Sequence, residues 1–164
     1  MRYGALKKTD IANGSGVRVS LWVSGCDRHC PGCFNKESQS FDYGEEFTVS
    51  TMNEIGLALS KDFISGLTIL GGEPLADQNR PTVLAIVYLI KKAFPDKTIW
   101  IYTGYSYEEV KEDPILCFTD VLVDGDFIED LKDISLKFRG SSNQRIIDLK
   151  ETKRSGSLQL WRDK

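Results

Sequence analysis

Val17-Arg-Val-Ser-Leu-Trp-Val-Ser-Gly-Cys-Asp-Arg-His-Cys-Pro-Gly-Cys33 decides how the rest of the chain is read. Its first half puts Val17, Val19, Leu21 and Val23 at every second position, the period of a half-buried strand. Its second half crowds Cys26, Cys30 and Cys33 into eight residues, spaced Cys-x3-Cys-x2-Cys. A loop at the carboxyl end of a strand is where open α/β sheets and barrels place their ligands. Thiolates are soft donors, suited to iron–sulfur clusters, Cu(I) or zinc. A four-iron cluster takes four ligands and a ferredoxin supplies four cysteines. Three cysteines would leave one iron open to something else.

The fourth cysteine, Cys117, sits in the apolar piece Pro114-Ile-Leu-Cys-Phe118. It reads as a buried small hydrophobe rather than a ligand. Three cysteines in one turn make a poor disulfide framework and a good cluster or metal loop. Structural zinc usually takes four closed ligands built from paired knuckles, and a second pair is missing. His29, the single histidine, adjoins Cys30, and neighbouring side chains in a short loop rarely reach the same ion.

Outward from this stretch, residues 1–16 are polar, end in Asn13-Gly-Ser-Gly16 and read as a loop. Residues 35–47 are aperiodic and read as a surface connection. Thr51-Met-Asn-Glu54 fits a capping box ahead of a helix with Met52, Ile55 and Leu59 on one face. Gly66-Leu-Thr-Ile-Leu70 is a second strand that runs into Gly71-Gly-Glu-Pro74. Pro81 opens a long apolar helix over 82–94, and Lys97-Thr-Ile-Trp-Ile-Tyr-Thr103 is a third strand. Ser106-Tyr-Glu-Glu109 caps a short helix, and Val121-Leu-Val123 is a fourth strand ending in Asp124-Gly-Asp126. Alternating strands and helices predict a parallel sheet with covering helices, in one domain over 1–164.

The chain has 164 residues, 41% apolar and 27% charged, with a net charge of −3. That balance makes no electrostatic case for nucleic acid. No apolar run approaches the roughly 18 residues a membrane span needs, and the N-terminus lacks the apolar core of a signal peptide. The expected compartment is the cytoplasm, with no membrane partner.

The three-cysteine spacing resembles the signature of the radical S-adenosylmethionine enzymes. The resemblance implies that Cys26, Cys30 and Cys33 hold a [4Fe–4S] cluster whose fourth iron binds the amino and carboxylate groups of S-adenosylmethionine. One electron then breaks a carbon–sulfur bond, and a 5′-deoxyadenosyl radical abstracts a hydrogen atom. Gly71-Gly-Glu-Pro74 looks like the superfamily's cofactor-binding GGE motif, so Gly71, Gly72 and Glu73 are expected at the cofactor. Many members carry an aromatic residue just before the third cysteine. Here Gly32 stands there and Phe34 follows the cysteine, so both are candidate adenine contacts. Thr103, with Tyr105, follows the third strand, and Asp124, with Asp126, follows the fourth. Thr103 is expected to face the cofactor, and Asp124 to meet its ribose or ammonium group.

Within the superfamily, the chain resembles the small activating proteins of anaerobic (class III) ribonucleotide reductases. The matching stretches are Asn13-Gly-Ser-Gly-Val-Arg18, Val23-Ser-Gly-Cys26, His29-Cys-Pro-Gly-Cys-Phe-Asn35, Leu70-Gly-Gly-Glu-Pro-Leu75, Trp100-Ile-Tyr-Thr-Gly-Tyr105, Val123-Asp-Gly-Asp-Phe127 and Phe138-Arg-Gly-Ser-Ser-Asn-Gln-Arg145. The resemblance implies an incomplete β/α barrel and a protein substrate, a glycine of the reductase large subunit, which is left as a stored radical. It also implies a low-potential electron donor such as flavodoxin. Arg139 and Arg145 receive no role from the sequence. Two alternatives stay open: a radical enzyme acting on another glycyl-radical enzyme or a small molecule, and a non-catalytic zinc-binding module.

Overall fold

The alternation of Val17–Val23 does form a strand, and it sits near the middle of a seven-stranded sheet. The computed structural model describes residues 1–162. Its strands are β1 (Arg2–Asp10), β2 (Val17–Val23), β3 (Glu45–Glu46), β4 (Ile64–Gly71), β5 (Thr98–Tyr102), β6 (Val121–Asp124) and β7 (Arg145–Asp148). Their spatial order is β3-β1-β2-β4-β5-β6-β7. The central β2, β4, β5 and β6 are parallel, and the margins β1, β3 and β7 pair antiparallel. The fold is therefore α/β with a mostly parallel, open sheet, mixed at both margins where an all-parallel one was expected.

The helices are α1 (Val49–Leu59), α2 (Arg80–Ala93), α3 (Tyr107–Val110) and α4 (Leu149–Ser155). In α2, Val83, Ile86, Val87 and Ile90 fall at spacings of three and four, so one stripe is buried. It packs in the same apolar cluster as Val19, Leu21, Leu67, Ile69, Ile99 and Ile101. Burying each such side chain contributes about 1.5–3 kcal/mol. Pro81 stands in the first turn, where its missing N–H is no loss. The Ser106–Glu109 capping box forms as expected.

Four expectations need correction. The polar N-terminus is β1, not a loop, because a ladder is made of backbone groups and β2 presents an open edge to pair with. The first capping box is Thr48 with Thr51, one turn earlier than expected. There, Thr51 is buried and Glu54 is left free to pair with Lys8 at 3.0 Å. Ile146 and Ile147, unassigned from sequence, belong to β7. Cys117 is exposed rather than buried: Pro114–Cys117 is a 3-10 turn whose Ile115 and Leu116 face inward.

Because β2, β4, β5 and β6 are parallel, their carboxyl ends share one edge. The cysteine loop, Gly71-Gly72-Glu73, Thr103-Gly104 and Gly125–Phe127 all leave from that edge. Among the described residues no helix is long and apolar enough to cross a membrane.

Candidate functional site

Two backbone loops meet at this edge and are bonded to each other. Gly72 N donates to Val23 O and Glu73 N to Gly25 O, both at 2.8 Å. Gly25 N and Cys26 N donate in turn to Ser38 O and Gln39 O. The approach is so close that a Cβ on Gly72 would lie 2.5 Å from Gly25 O, so only glycine fits. The cysteine loop turns three times through positive-φ backbone, at Gly25 (φ 94°), His29 (φ 48°) and Gly32 (φ 69°).

Cys26, Cys30 and Cys33 are free, half-buried thiols on the wall of one cavity of about 440 Å³. That volume lies within the range of small-molecule sites. Gly71, Gly72, Glu73, Thr103 and Phe34 line the same cavity. The chain thus brings together eight of the ten candidate residues, from three separate loops. Gly32 is not on the cavity wall; it faces out, against the Glu129 carboxylate. Asp124 is not there either. Its Oδ1 accepts from Arg145 Nε at 3.0 Å, and its Oδ2 accepts from Tyr107 N at 2.7 Å and Arg145 Nη2 at 2.5 Å. The carboxylate expected at the cofactor is used instead to tie β6, β7 and the start of α3, which also gives Arg145 its role.

Glu73 is almost wholly buried at the cavity wall. Its Oε1 accepts from Leu75 N at 2.9 Å and Thr103 Oγ1 at 2.8 Å, and its Oε2 from Gly104 N at 2.7 Å. The side chain therefore braces the loop after β4 against the loop after β5. Oε2 keeps room for a further donor. Burial outweighs these bonds and pushes the Glu73 carboxyl up to about 6.

Burial raises the Cys26 and Cys30 thiols above the ordinary range, and the Asp126 carboxylate adds to the rise at Cys30. Cys30 Sγ donates to Asp126 Oδ1 at 3.4 Å. Arg28 holds that same carboxylate in a two-pronged contact, Nε to Oδ1 at 2.5 Å and Nη2 to Oδ2 at 2.6 Å, and keeps Asp126 ionised to lower pH. Its guanidinium lies 4.6 Å from the centre of the Tyr105 ring. Among the described residues no three His, Cys, Asp or Glu side chains gather around a single ion. Three free soft donors facing one cavity, with Cys117 elsewhere, fit a multi-iron cluster, which takes each thiolate on a different iron.

Three contributors escaped the sequence reading. Asn79 Nδ2 reaches Ser24 O at 3.0 Å and Glu73 O at 2.9 Å, joining both loops from below. Asn35 Nδ2 donates to Gly71 O at 3.3 Å. Arg28 clamps the far side. The signals were weak: Asn79 precedes the helix-opening Arg80-Pro81, and Arg28 lies inside the cysteine loop without being a ligand type.

A model of the 4Fe-4S single cluster domain family matches residues 12–147. The chain is 41% identical to a protein of Enterobacteria phage T4 over 146 residues, which cover 89% of this chain and 93% of that one. It is 42% identical to one of Salmonella typhimurium over 154 residues, 92% and 100% of the two chains. It is 43% identical to one of Pasteurella multocida over 152 residues, 89% and 96%. All three relatives are named anaerobic ribonucleoside-triphosphate reductase-activating protein.

Proposed function

The chain belongs to the anaerobic ribonucleoside-triphosphate reductase-activating proteins, within the 4Fe-4S single cluster domain family, and from that membership we infer how its site works. It is an activating enzyme for anaerobic ribonucleotide reductase. Cys26, Cys30 and Cys33 would hold three corners of a [4Fe–4S] cluster, with S-adenosylmethionine in the same cavity. When bound, the pair supplies a one-electron cleavage of the cofactor and a 5′-deoxyadenosyl radical that takes a hydrogen atom from a glycine of the reductase.

The chain's own residues bind, orient and exclude water. The observation that carries this reading is the stitching of the cysteine loop to Gly71-Gly72-Glu73, which sets the thiols and a glycine-lined rim beside each other on one cavity wall. Gly71 and Gly72 let backbone approach a ligand closely. Glu73 and Thr103 brace that rim, and the remaining acceptor position on Glu73 suits an ammonium group. Phe34 offers an aromatic face at the mouth. Trp22, Leu70 and Tyr102 line the cavity and limit water.

The same reading takes the open sheet as an incomplete β/α barrel, in one domain over 1–164. It places the enzyme in the cytoplasm with a low-potential donor such as flavodoxin. The test is anaerobic. Protein reconstituted with iron and sulfide, given reductant and S-adenosylmethionine, should release 5′-deoxyadenosine and leave a glycyl-radical signal on added reductase. Cys26→Ala, Cys30→Ala or Cys33→Ala should each abolish both. Normal turnover in any one of them would remove that cysteine from the ligand set.

A further inference from the structure

The wall of the cavity that faces β6 is unlike the others. It comes from the connection between β6 and β7, whose neck is closed by the Lys132–Ser141 bridge and by Ser142 N donating to Leu131 O at 2.9 Å. Beyond that neck, residues 133–140 project over the cavity, and Ile134 and Leu136 line it. Ile134 is 94% exposed, the most exposed large apolar side chain among the described residues. Leu131, Ile128 and Phe34 are exposed as well. Phe34 packs tilted against Phe127 with centroids 5.0 Å apart, and Lys132 Nζ lies 4.6 Å from its ring centre, so the connection and the cysteine loop form one continuous lip.

Phe34 and Ile134 on the cavity wall, with Ile128 and Leu131 on the same connection as Ile134, leave four large apolar side chains in water beside a reactive cavity; folding does not favour that arrangement, and such patches mark interaction sites. We propose that this lip, Phe34, Ile128, Leu131 and Ile134, docks an extended, apolar-flanked segment of the reductase that carries the target glycine. The proposal rests on the function read above, and its occupant follows from two features. The lip is continuous with the cavity where the hydrogen atom must be taken. The target of that chemistry is a polypeptide, so its glycine has to be held at this mouth by the residues on either side of it. A glycine backbone is narrow enough to enter while its neighbours stay on the lip.

The experiment measures affinity of the protein for purified anaerobic ribonucleoside-triphosphate reductase by titration calorimetry, alongside glycyl-radical yield against reductase concentration. Ile134→Asp, at a fully exposed tip, and Leu131→Ser, at the neck, should each weaken binding about tenfold or more. Radical yield should recover at high reductase concentration, the mark of a docking defect. Equal affinity for wild type and both variants overturns the docking assignment. So does a variant that changes self-association of this chain and leaves reductase affinity unmoved, because the lip would then be a contact between copies. A wild-type protein that forms no glycyl radical on the reductase would instead sink the functional reading itself.

Discussion

The two faces of the central strands are packed by opposite means. On one face Val19, Leu21, Leu67, Ile69, Ile99 and Ile101 lie at zero exposure beneath the helices, with no polar group among them. On the other, Arg18, Ser20, Thr68 and Trp100 are equally closed to water, while Trp22, Thr98 and Tyr102 are half-buried. There Arg18 donates to Thr68 Oγ1 at 2.7 Å, Leu67 O at 2.8 Å, Thr98 O and Thr98 Oγ1 at 2.9 Å, and Ser15 O at 3.2 Å. Asp10 accepts from Ser20 Oγ at 2.6 Å and Asn13 Nδ2 at 2.7 Å. These bonds pin the loop after β1 under the cavity, where Ala12 and Asn13 line it. The apolar face is held by non-directional burial, which tolerates exchange among residues of similar volume. The polar face is held by directional bonds with fixed partners, so it specifies where the cavity floor sits.

The hardest blow to the apolar face is Ile69→Ala. It should lower the free energy of unfolding in urea by about 2–5 kcal/mol, the cost of a core cavity, while the protein that remains folded keeps its activity. A loss below about 1 kcal/mol would mean that this face is less tightly packed than its zero exposure implies.

Arg18→Met sharpens the contrast. Burial drops the Arg18 guanidinium to about 10, so its charge is held at a disadvantage and its value lies in the bonds it makes. Removing it strands carbonyls of Leu67, Thr98 and Ser15, and the expected loss is about 1–3 kcal/mol in the same urea titration. Neutral or increased stability would show that the polar face needs volume rather than partners.

The smallest effect is the one that depends on pH. The Glu73 carboxyl is raised from 4.5 in the unfolded chain to about 6 in the fold, so its ionised form is disfavoured by folding. Relative stability from this group is fully present below pH 4.5 and is lost as pH rises through 6, about 2 kcal/mol in all. Glu73→Gln removes that slope. Unfolding free energies of the two proteins, measured from pH 4.5 to 7, should therefore lie closest at pH 4.5 and diverge most at pH 7, with Glu73→Gln the more stable there if the amide finds the same partners. A parallel pH course in both would remove Glu73 as the titrating group.

How much was readable in advance differs between these same regions. Every strand of the parallel centre was legible: β2 by apolar residues at the period of two, β4 by an apolar run bounded by glycines, β5 by β-branched and aromatic residues, β6 by the short run Val121-Leu-Val123, and α2 as a long apolar helix. β1 was not, since its residues are half exposed and its order comes from the backbone edge of β2. Eight of the ten candidate site residues line one cavity. Asp124 is not on that wall, and the sequence does not show that Arg145, 21 residues on, closes its carboxylate. Asn79 and Arg28 were missed because a staple is defined by what it joins, and their partners lie in other loops.

The order of residues by itself determined which types of donor this chain possesses, three closely spaced thiols and a Gly-Gly-Glu turn, and which segments alternate as strands. Ligand softness and side-chain periodicity are local properties, and local order suffices to state them. Tertiary structure alone decided that the two loops would be bonded side by side, that Glu73 would be spent as a brace, and that Cys117 would look outward. Each of those outcomes depends on the register of parallel strands and on the desolvation of groups far apart in the chain, and neither exists until the sheet has formed.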